Sequence, residues 1–259
     1  MKHALILGGT RGIGRALATR YLERGWGVTV CGRDAARVQG WEHAAHPALR
    51  VVVLDAADHD AVRAVVAAAG GPDGTLDVLV VVAGQYFDTR DHPLDEAATL
   101  ALLRTNVGGL ATAFEAGAQR LLAQGHGHLA AVSSMAGLLK EHPGASVYAA
   151  SKRAVLALCA TWRKALAPFG IAVTALVPGY VDTERLRELN GGDARHKPFL
   201  MSEGAAADRM LAAIDAGRAM AAFPWQMRLA VGMLNLVPRL RRVPEFRAPA
   251  RAAPTAPRR

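Results

Sequence analysis

The sequence predicts an α/β protein, a single domain built on a doubly wound parallel sheet. Three observations predict it. Short apolar, β-rich runs alternate with longer helical stretches. The first run leads directly into a glycine-rich turn. The chain has 259 residues, 51% of them apolar, enough to bury one full core. Aromatics are scarce, at 5%, which suits alanine- and valine-rich helices packed on a sheet.

The strand runs fall at residues 4–7, 28–31, 51–54, 78–82, 129–133 and 173–177, with a seventh at Met220–Phe223. They are nearly continuous in apolar residues, as parallel strands covered on both faces must be. Helical patterns lie between them. Residues 12–24 place Ile13, Leu17 and Tyr21 on one face. Residues 60–69 are rich in alanine and valine, and 94–123 read as two helices meeting near Arg104 and Thr105. Residues 147–167 form the strongest helical pattern, ended by Pro168 and Gly170. Residues 183–203 hold Gly191 and Gly192 and little periodicity, so they are expected to be a mobile lid over a substrate site.

The net charge is +9, and much of the excess sits near the end. From Arg239 to Arg259 there are seven arginines against one acid, Glu245. Four prolines, Pro244, Pro249, Pro254 and Pro257, interrupt that stretch. The domain is therefore taken as 1–243 and a flexible basic tail as 244–259, with weak attraction to phosphates or anionic lipid as the alternative to a plain solvated tail. Nucleic acid is not expected as a partner. Before the tail, Trp225, Met227, Leu229, Val231, Met233, Leu234 and Leu236 make an amphipathic helical pattern. Three readings are open for it: a core or dimer helix, a hydrophobic cover for substrate, or a helix lying on a membrane surface. No run is long and apolar enough for a membrane span. Cys31 and Cys159 have no motif spacing and read as small buried hydrophobes, which fits a reducing cytoplasm. The nine histidines show no metal-ligand pattern and read as surface or loop residues, so no metal is expected.

Gly8, Thr10, Arg11, Gly12, Ile13 and Gly14 belong to the turn between the first strand and the first helix. Glycines there allow a tight bend and let the backbone approach a pyrophosphate, while the helix N-terminus offers free N–H groups and a positive dipole end. The second strand ends in Gly32 and Arg33, where an acid would hold the ribose 2′-hydroxyl of NAD. Gly32 leaves room, and Arg33 with Arg11 can neutralise a 2′-phosphate, so the expected cofactor is NADP(H).

Tyr148 and Lys152 stand four residues apart on a predicted helix and share a face. A free phenol has a pKa of about 10, too high for proton transfer near neutrality, and a nearby ammonium lowers it. With Ser134 upstream, these residues resemble the short-chain dehydrogenase/reductase family in its compact form of about 250 residues. The likeness runs over roughly residues 4–184. The glycine turn is similar to the family's Thr-Gly-x-x-x-Gly-x-Gly motif, with Leu7 in place of the threonine. Val82, Ala83 and Gly84 are similar to its Asn-Asn-Ala-Gly segment, with Val81 and Val82 in place of both asparagines. That loss is expected to alter sheet-edge bonding without removing a proton-transfer group. The resemblance implies Asn106, Ser134, Tyr148 and Lys152 as a catalytic tetrad, and Asp55 as the acid near adenine. It implies further cofactor contacts from Ala83, Gly84, Tyr148, Lys152, Pro178, Gly179, Val181 and Thr183. The distance from Ser134 to Tyr148 is one residue longer than the family pattern, and a loop at 139–146 can absorb the insertion. Ser133 is the rival for the serine role.

The resemblance also implies the chemistry. A hydride passes between the nicotinamide and a carbonyl or secondary alcohol carbon. Ser134 and Tyr148 donate hydrogen bonds to the oxygen, Tyr148 moves the proton, Lys152 lowers the tyrosine pKa, and Asn106 positions a water linking Lys152 to solvent. The expected substrate is a partly apolar ketone, aldehyde or alcohol, with Phe199, Leu200 and Met201 as candidate pocket residues. A homo-dimer or homo-tetramer is implied through the helices at 94–123 and 147–167. The rival reading is a non-catalytic dinucleotide-binding regulator on the same fold.

Overall fold

The computed structural model describes residues 1–86, 95–140 and 146–236. Seven strands form one parallel sheet: β1 (His3–Leu7), β2 (Gly27–Gly32), β3 (Leu49–Val53), β4 (Val78–Val81), β5 (His128–Val132), β6 (Ala172–Pro178) and β7 (Met220–Phe223). Their order is β3-β2-β1-β4-β5-β6-β7. The chain works outward from β1 in one direction and then returns to β4 to work outward in the other. The switch point lies between β1 and β4, whose register pairs Leu7 with Val81.

Alternation along β1 assigns its residues to two cores. Leu5 and Leu7 face Phe114, Leu121, Val155 and Cys159. Ala4 and Ile6 face Leu17, Tyr21, Met210 and Ile214. The helices divide accordingly. α2 (His59–Ala68), α4 (Gly109–Gln124) and α5 (Val147–Leu166) cover one face. α1 (Gly12–Glu23) and α7 (Glu203–Asp215) cover the other. The doubly wound sheet is therefore the one the strand runs predict, seventh strand included. Cys31 and Cys159 are buried free thiols, as expected.

The stretch at 94–123 divides into α3 (Glu96–Leu103), a π-helical turn at Arg104–Gly108, and α4. The helices do not simply meet. The wider turn buries Thr105 and Asn106, and wide turns of this kind re-aim side chains.

Four expectations are corrected. Residues 183–203 are structured: α6 (Glu184–Glu188) opens the stretch, and Met201 bridges back to Val181 before Ser202 caps α7. The sequence reading assigns no helix to Glu203–Asp215, because its core side is half alanine and gives weak periodicity. Met201 packs against the α1–α7 core, and Phe199 is exposed at positive φ, so the two do not form the apolar pocket expected of them. β4 is interior, and Val82 and Ala83 both donate their N–H to the Leu7 carbonyl, so the valines disturb no sheet edge.

The fourth correction concerns histidines. His3 and His128 are buried strand residues. His128 Nε2 lies 2.8 Å from Thr174 Oγ1, and that hydroxyl donates to the Arg218 carbonyl at 2.6 Å. The threonine proton is thus engaged, so Nε2 carries the hydrogen toward it. His3 Nε2 lies 2.9 Å from Thr29 Oγ1.

α8 (Trp225–Leu236) buries Met227 and Val231 against Met135 and Val177 and exposes Trp225, Leu229, Met233, Leu234 and Leu236. The tail expected at 244–259, together with Arg239, Arg241 and Arg242, lies outside the described residues. No described helix is long and apolar enough to cross a membrane.

Burial lowers the pKa of His128 to about 4, with Arg163 adding to the fall. The unfolded chain therefore binds the proton first, and stability drops as pH falls from about 6.5 through about 4. The loss should be on the order of 3 kcal/mol by the lower limit. Urea melts at pH 7 and pH 4.5 measure it. His128→Gln should flatten that part of the profile, and an unchanged slope would remove His128 as its source.

Candidate active site

The glycine turn is shaped by lack of space. A Cβ on Gly14 would stand 2.1 Å from the Gly8 carbonyl oxygen, and one on Gly8 would stand 2.6 Å from the Ala83 N. Gly8 also has φ +90, a region that disfavours side chains. The turn after β1 thus presses against the segment after β4, and α1 begins at the switch-point crevice. Gly8 and Gly9 donate to the Cys31 carbonyl, tying the turn to β2. Thr10 is buried against Gly32, and Ile13 packs half-buried against the α1–α7 core.

The loop after β6 closes the crevice on the other side. Gly179 N donates to Phe223 O, and Val181 is buried. The Thr183 methyl lies 3.5 Å from where a Gly12 Cβ would point, while its Oγ1 accepts from Leu186 N and caps α6. Thr183, at the end of the stretch that begins at Pro178, therefore stands beside the glycine turn. Asp55 uses a carboxylate oxygen to accept from Ala57 N in the turn after β3.

Tyr148, Ser134 and Lys152 converge at the C-terminal end of β5. Ser146 caps α5 through Ala149 N, which places Tyr148 in the first turn and Lys152 one turn on. Lys152 is buried, and its Nζ donates to the Val132 carbonyl at 2.9 Å. The same atom lies 5.8 Å from the Tyr148 ring centroid and 3.2 Å from where a Gly84 Cβ would sit. The two serines separate. Ser133 is buried and donates to the Lys152 carbonyl at 2.7 Å, locking β5 to α5. Ser134 accepts from Ala136 N, and its side chain acts on the Tyr148 phenol, drawing the phenol pKa down.

Asn106 is also brought in, but its partners differ from those expected. Its Oδ1 accepts from Gln85 N at 2.7 Å, and its Nδ2 donates to Gln85 O and Ser151 Oγ, each at 3.0 Å. Ser151 in turn donates to the Tyr148 carbonyl at 2.7 Å. Both ends of the amide are therefore engaged in clamping the 82–86 segment to α5. In this arrangement Asn106 is a brace between elements.

The pKa expectation for Tyr148 is corrected. Burial pushes the phenol up to about 12, against the pull of its Ser134 hydrogen bond, and Tyr86 adds to the rise. Burial also drives the Lys152 ammonium down to about 8. A desolvated ammonium engaged by a carbonyl does not offset the desolvation of the phenol here. Sequence reasoning missed Tyr86, whose ring meets Tyr148 edge-on at 4.8 Å. It follows closely on the Ala83-Gly84 segment, but nothing in its spacing marks it.

Asn235 was also missed. Its Nδ2 donates to the Leu138 carbonyl and its Oδ1 accepts from Lys140 N, so α8 holds the chain that leaves Ser134. The insertion expected at 139–146 lies mostly outside the described residues.

The second basic group expected at the cofactor, Arg33, is exposed at the end of β2. Asp34 is turned to local use: it accepts from Ala36 N and lies 3.7 Å from Arg37. Among the described residues, no group of acids, histidines and cysteines could hold a metal ion.

Fold and site define a class: a doubly wound dinucleotide-binding protein with a tyrosine, a lysine and a serine gathered at the switch-point crevice. The short chain dehydrogenase family model matches residues 2–194, and the chain belongs to that family of oxidoreductases acting on CH–OH and C=O groups. It is 32% identical over 251 residues to an uncharacterized oxidoreductase of Myxococcus xanthus, covering 96% of each chain. A solved short chain dehydrogenase/reductase family protein superposes with a TM-score of 0.74 at 31% identity, covering 85% of this chain and 93% of that one. A variant of the actinorhodin polyketide ketoreductase, crystallised with NADPH, does so with a TM-score of 0.73 at 25% identity, covering 85% and 94%.

Gly14→Ala should destabilise the protein by roughly 3 kcal/mol, since the backbone it meets cannot withdraw. Gly232→Ala, on α8 with open space around it, should be neutral or stabilising by about 0.5–1 kcal/mol. Denaturant melts of the two variants check the contrast. Equal effects would mean that the turn is not sterically constrained.

Proposed function

We propose that this protein is an NADP(H)-dependent reductase of a partly apolar ketone or aldehyde, with Tyr148 as its proton donor. The observation that carries the reading is the convergence of the Tyr148 phenol, the Ser134 hydroxyl and the Lys152 ammonium beside Gly84. That is the crevice side of the sheet, where the glycine turn meets the segment after β4. The glycine turn suits a pyrophosphate: its contacts exclude side chains, and α1 begins at the same point. Gly8, Thr10, Arg11, Gly12, Ile13 and Gly14 would cradle the phosphates. Ala83, Gly84, Pro178, Gly179, Val181 and Thr183 would flank the nicotinamide end, and Asp55 the adenine. The bound cofactor would supply the hydride.

The chain's own residues would do the rest. The Ser134 hydroxyl is near enough to draw the Tyr148 phenol pKa down, and both hydroxyls would donate toward one substrate oxygen. As charge grows on that oxygen, Tyr148 passes it the phenolic proton. A phenol held near 12 stays protonated at neutral pH, which suits a donor in the reductive direction. Lys152, fixed by Val132, supplies a nearby positive charge as the phenolate forms. Asn106 would act as a positioning residue that keeps the 82–86 segment against α5. The NADP(H) preference is supported by Arg33, exposed just past the end of β2, by Arg11 in the glycine turn, and by the local engagement of Asp34. The NADPH bound to the related ketoreductase agrees with it. Association through α4 and α5 is part of the same proposal.

Tyr148→Phe should lower turnover by about 10³-fold while leaving NADPH binding nearly unchanged. Fluorescence titration with NADPH and NADH, followed by NADPH oxidation over a panel of ketones and aldehydes, tests this. Retained turnover would remove Tyr148 as donor, and failure to bind either cofactor would overturn the reading. The kcat/KM for reduction should fall as pH rises through about 8, where Lys152 loses its charge. A profile flat to pH 9.5 would separate the Lys152 charge from the proton transfer.

A further inference from the structure

α8 carries apolar side chains on two opposite sides. Met227 and Val231 turn inward against Met135 and Val177. Trp225, Leu229, Met233 and Leu236 are 56–81% exposed. At 3.6 residues per turn these four fall within an arc of about 80°, opposite the buried pair. The side of the helix that meets water is therefore an apolar stripe, roughly 16 Å long. Single exposed apolar residues are ordinary, but a continuous stripe led by a tryptophan is not.

The stripe is held firmly. A Cβ on Gly179 would stand 2.6 Å from Met227 Sδ, so the helix presses on the loop after β6. Asn235 ties its last turn to Leu138 and Lys140. α8 follows the C-terminal end of β7, and the strands run parallel, so it lies at the same end of the sheet as Ser134, Tyr148 and Lys152.

Charge selects the occupant. From Ala216 to Pro244 the sequence has five arginines and no acid. Arg228 is exposed at the edge of the stripe and makes no salt bridge among the described residues. A second copy fits poorly, because an isologous contact would bring two such acid-free segments together. One helical stripe also falls far short of the roughly 20–30 residues that each side of a stable protein interface supplies. A bound substrate fits poorly too, since the stripe points away from Met135, the neighbour of Ser134. An anionic bilayer satisfies both features: its phosphates attract guanidinium groups, and its headgroup–acyl boundary takes up tryptophan and leucine. We propose that α8 docks this protein on an anionic lipid surface. Trp225, Leu229, Met233 and Leu236 enter the boundary and Arg228 meets the phosphates. Docking holds the crevice end of the sheet close to the bilayer, and it stands independently of the NADP(H) reading.

The test is flotation of the full chain with vesicles of phosphatidylcholine, alone or with about one-third phosphatidylglycerol. Wild type should bind the anionic vesicles about tenfold more tightly than the neutral ones, with tryptophan emission shifting to the blue. Leu229→Gln/Met233→Gln, two changes on the solvent side, should weaken that binding about tenfold. Arg228→Gln should weaken it about fivefold and leave neutral vesicles unchanged. Trp225→Phe should still bind but lose the blue shift, a readout that does not depend on the double variant folding. No binding of wild type to anionic vesicles would overturn the proposal. So would undiminished binding by folded Leu229→Gln/Met233→Gln, which would leave the lipid contact to the arginines alone. A blue shift that survives Trp225→Phe would place another tryptophan at the lipid and also overturn it. Sedimentation velocity covers the remaining occupant: a wild-type oligomer that the double substitution splits, with no vesicle binding, would make the stripe an interface between copies.

Discussion

The site depends on one steric constraint: three pieces of backbone meet at the switch point with no room for a side chain. Gly14 lies against Gly8, and Gly8 lies against Ala83. This contact lets α1 start directly at the crevice between β1 and β4. It also holds the segment after β4 close enough for Lys152 to reach Gly84. Any side chain at Gly8 or Gly14 would push these elements apart and separate the proposed phosphate cradle from the proposed proton-transfer groups. The local backbone therefore sets the relation between the two halves of the proposed site.

A buried polar network then fixes the side chains. Ser133 and Lys152 tie β5 and α5 together in both directions: the serine hydroxyl bonds the lysine carbonyl, and the lysine ammonium bonds Val132. Asn106 and Ser151 link the 82–86 segment to the Tyr148 backbone. The Ser133 hydroxyl, the Asn106 amide and the Lys152 ammonium each donate to a protein acceptor, which matters because an unpaired donor is strongly unfavourable away from water. The same seclusion explains the opposite pKa shifts. Burial favours the neutral forms of both residues, so the phenol rises and the ammonium falls. In the proposed mechanism the proton leaves Tyr148 only when charge develops on a neighbouring atom.

The strands were legible because parallel strands buried on both faces are continuous apolar runs, and each of the seven runs became one. α5 was legible from its length and its Pro168–Gly170 stop. α7 was not, because alanines such as Ala206 and Ala207 bury well without giving a strong apolar rhythm. At the site, the Tyr148–Lys152 spacing and the glycine turn showed in sequence because helix and turn geometry fix them locally. Tyr86 and Asn235 meet their site partners across long stretches of chain, so no local pattern marks them.

The sequence by itself determined the sheet, its two faces and the residues able to carry the chemistry, because periodicity and backbone steric limits act over a few residues. Only the tertiary structure decided that Ser133, not Ser134, locks β5 to α5. It alone showed that Asn106 braces two elements and that His3 and His128 are buried. Those outcomes depend on desolvation and on partners distant in the chain, and both exist only once the elements have packed.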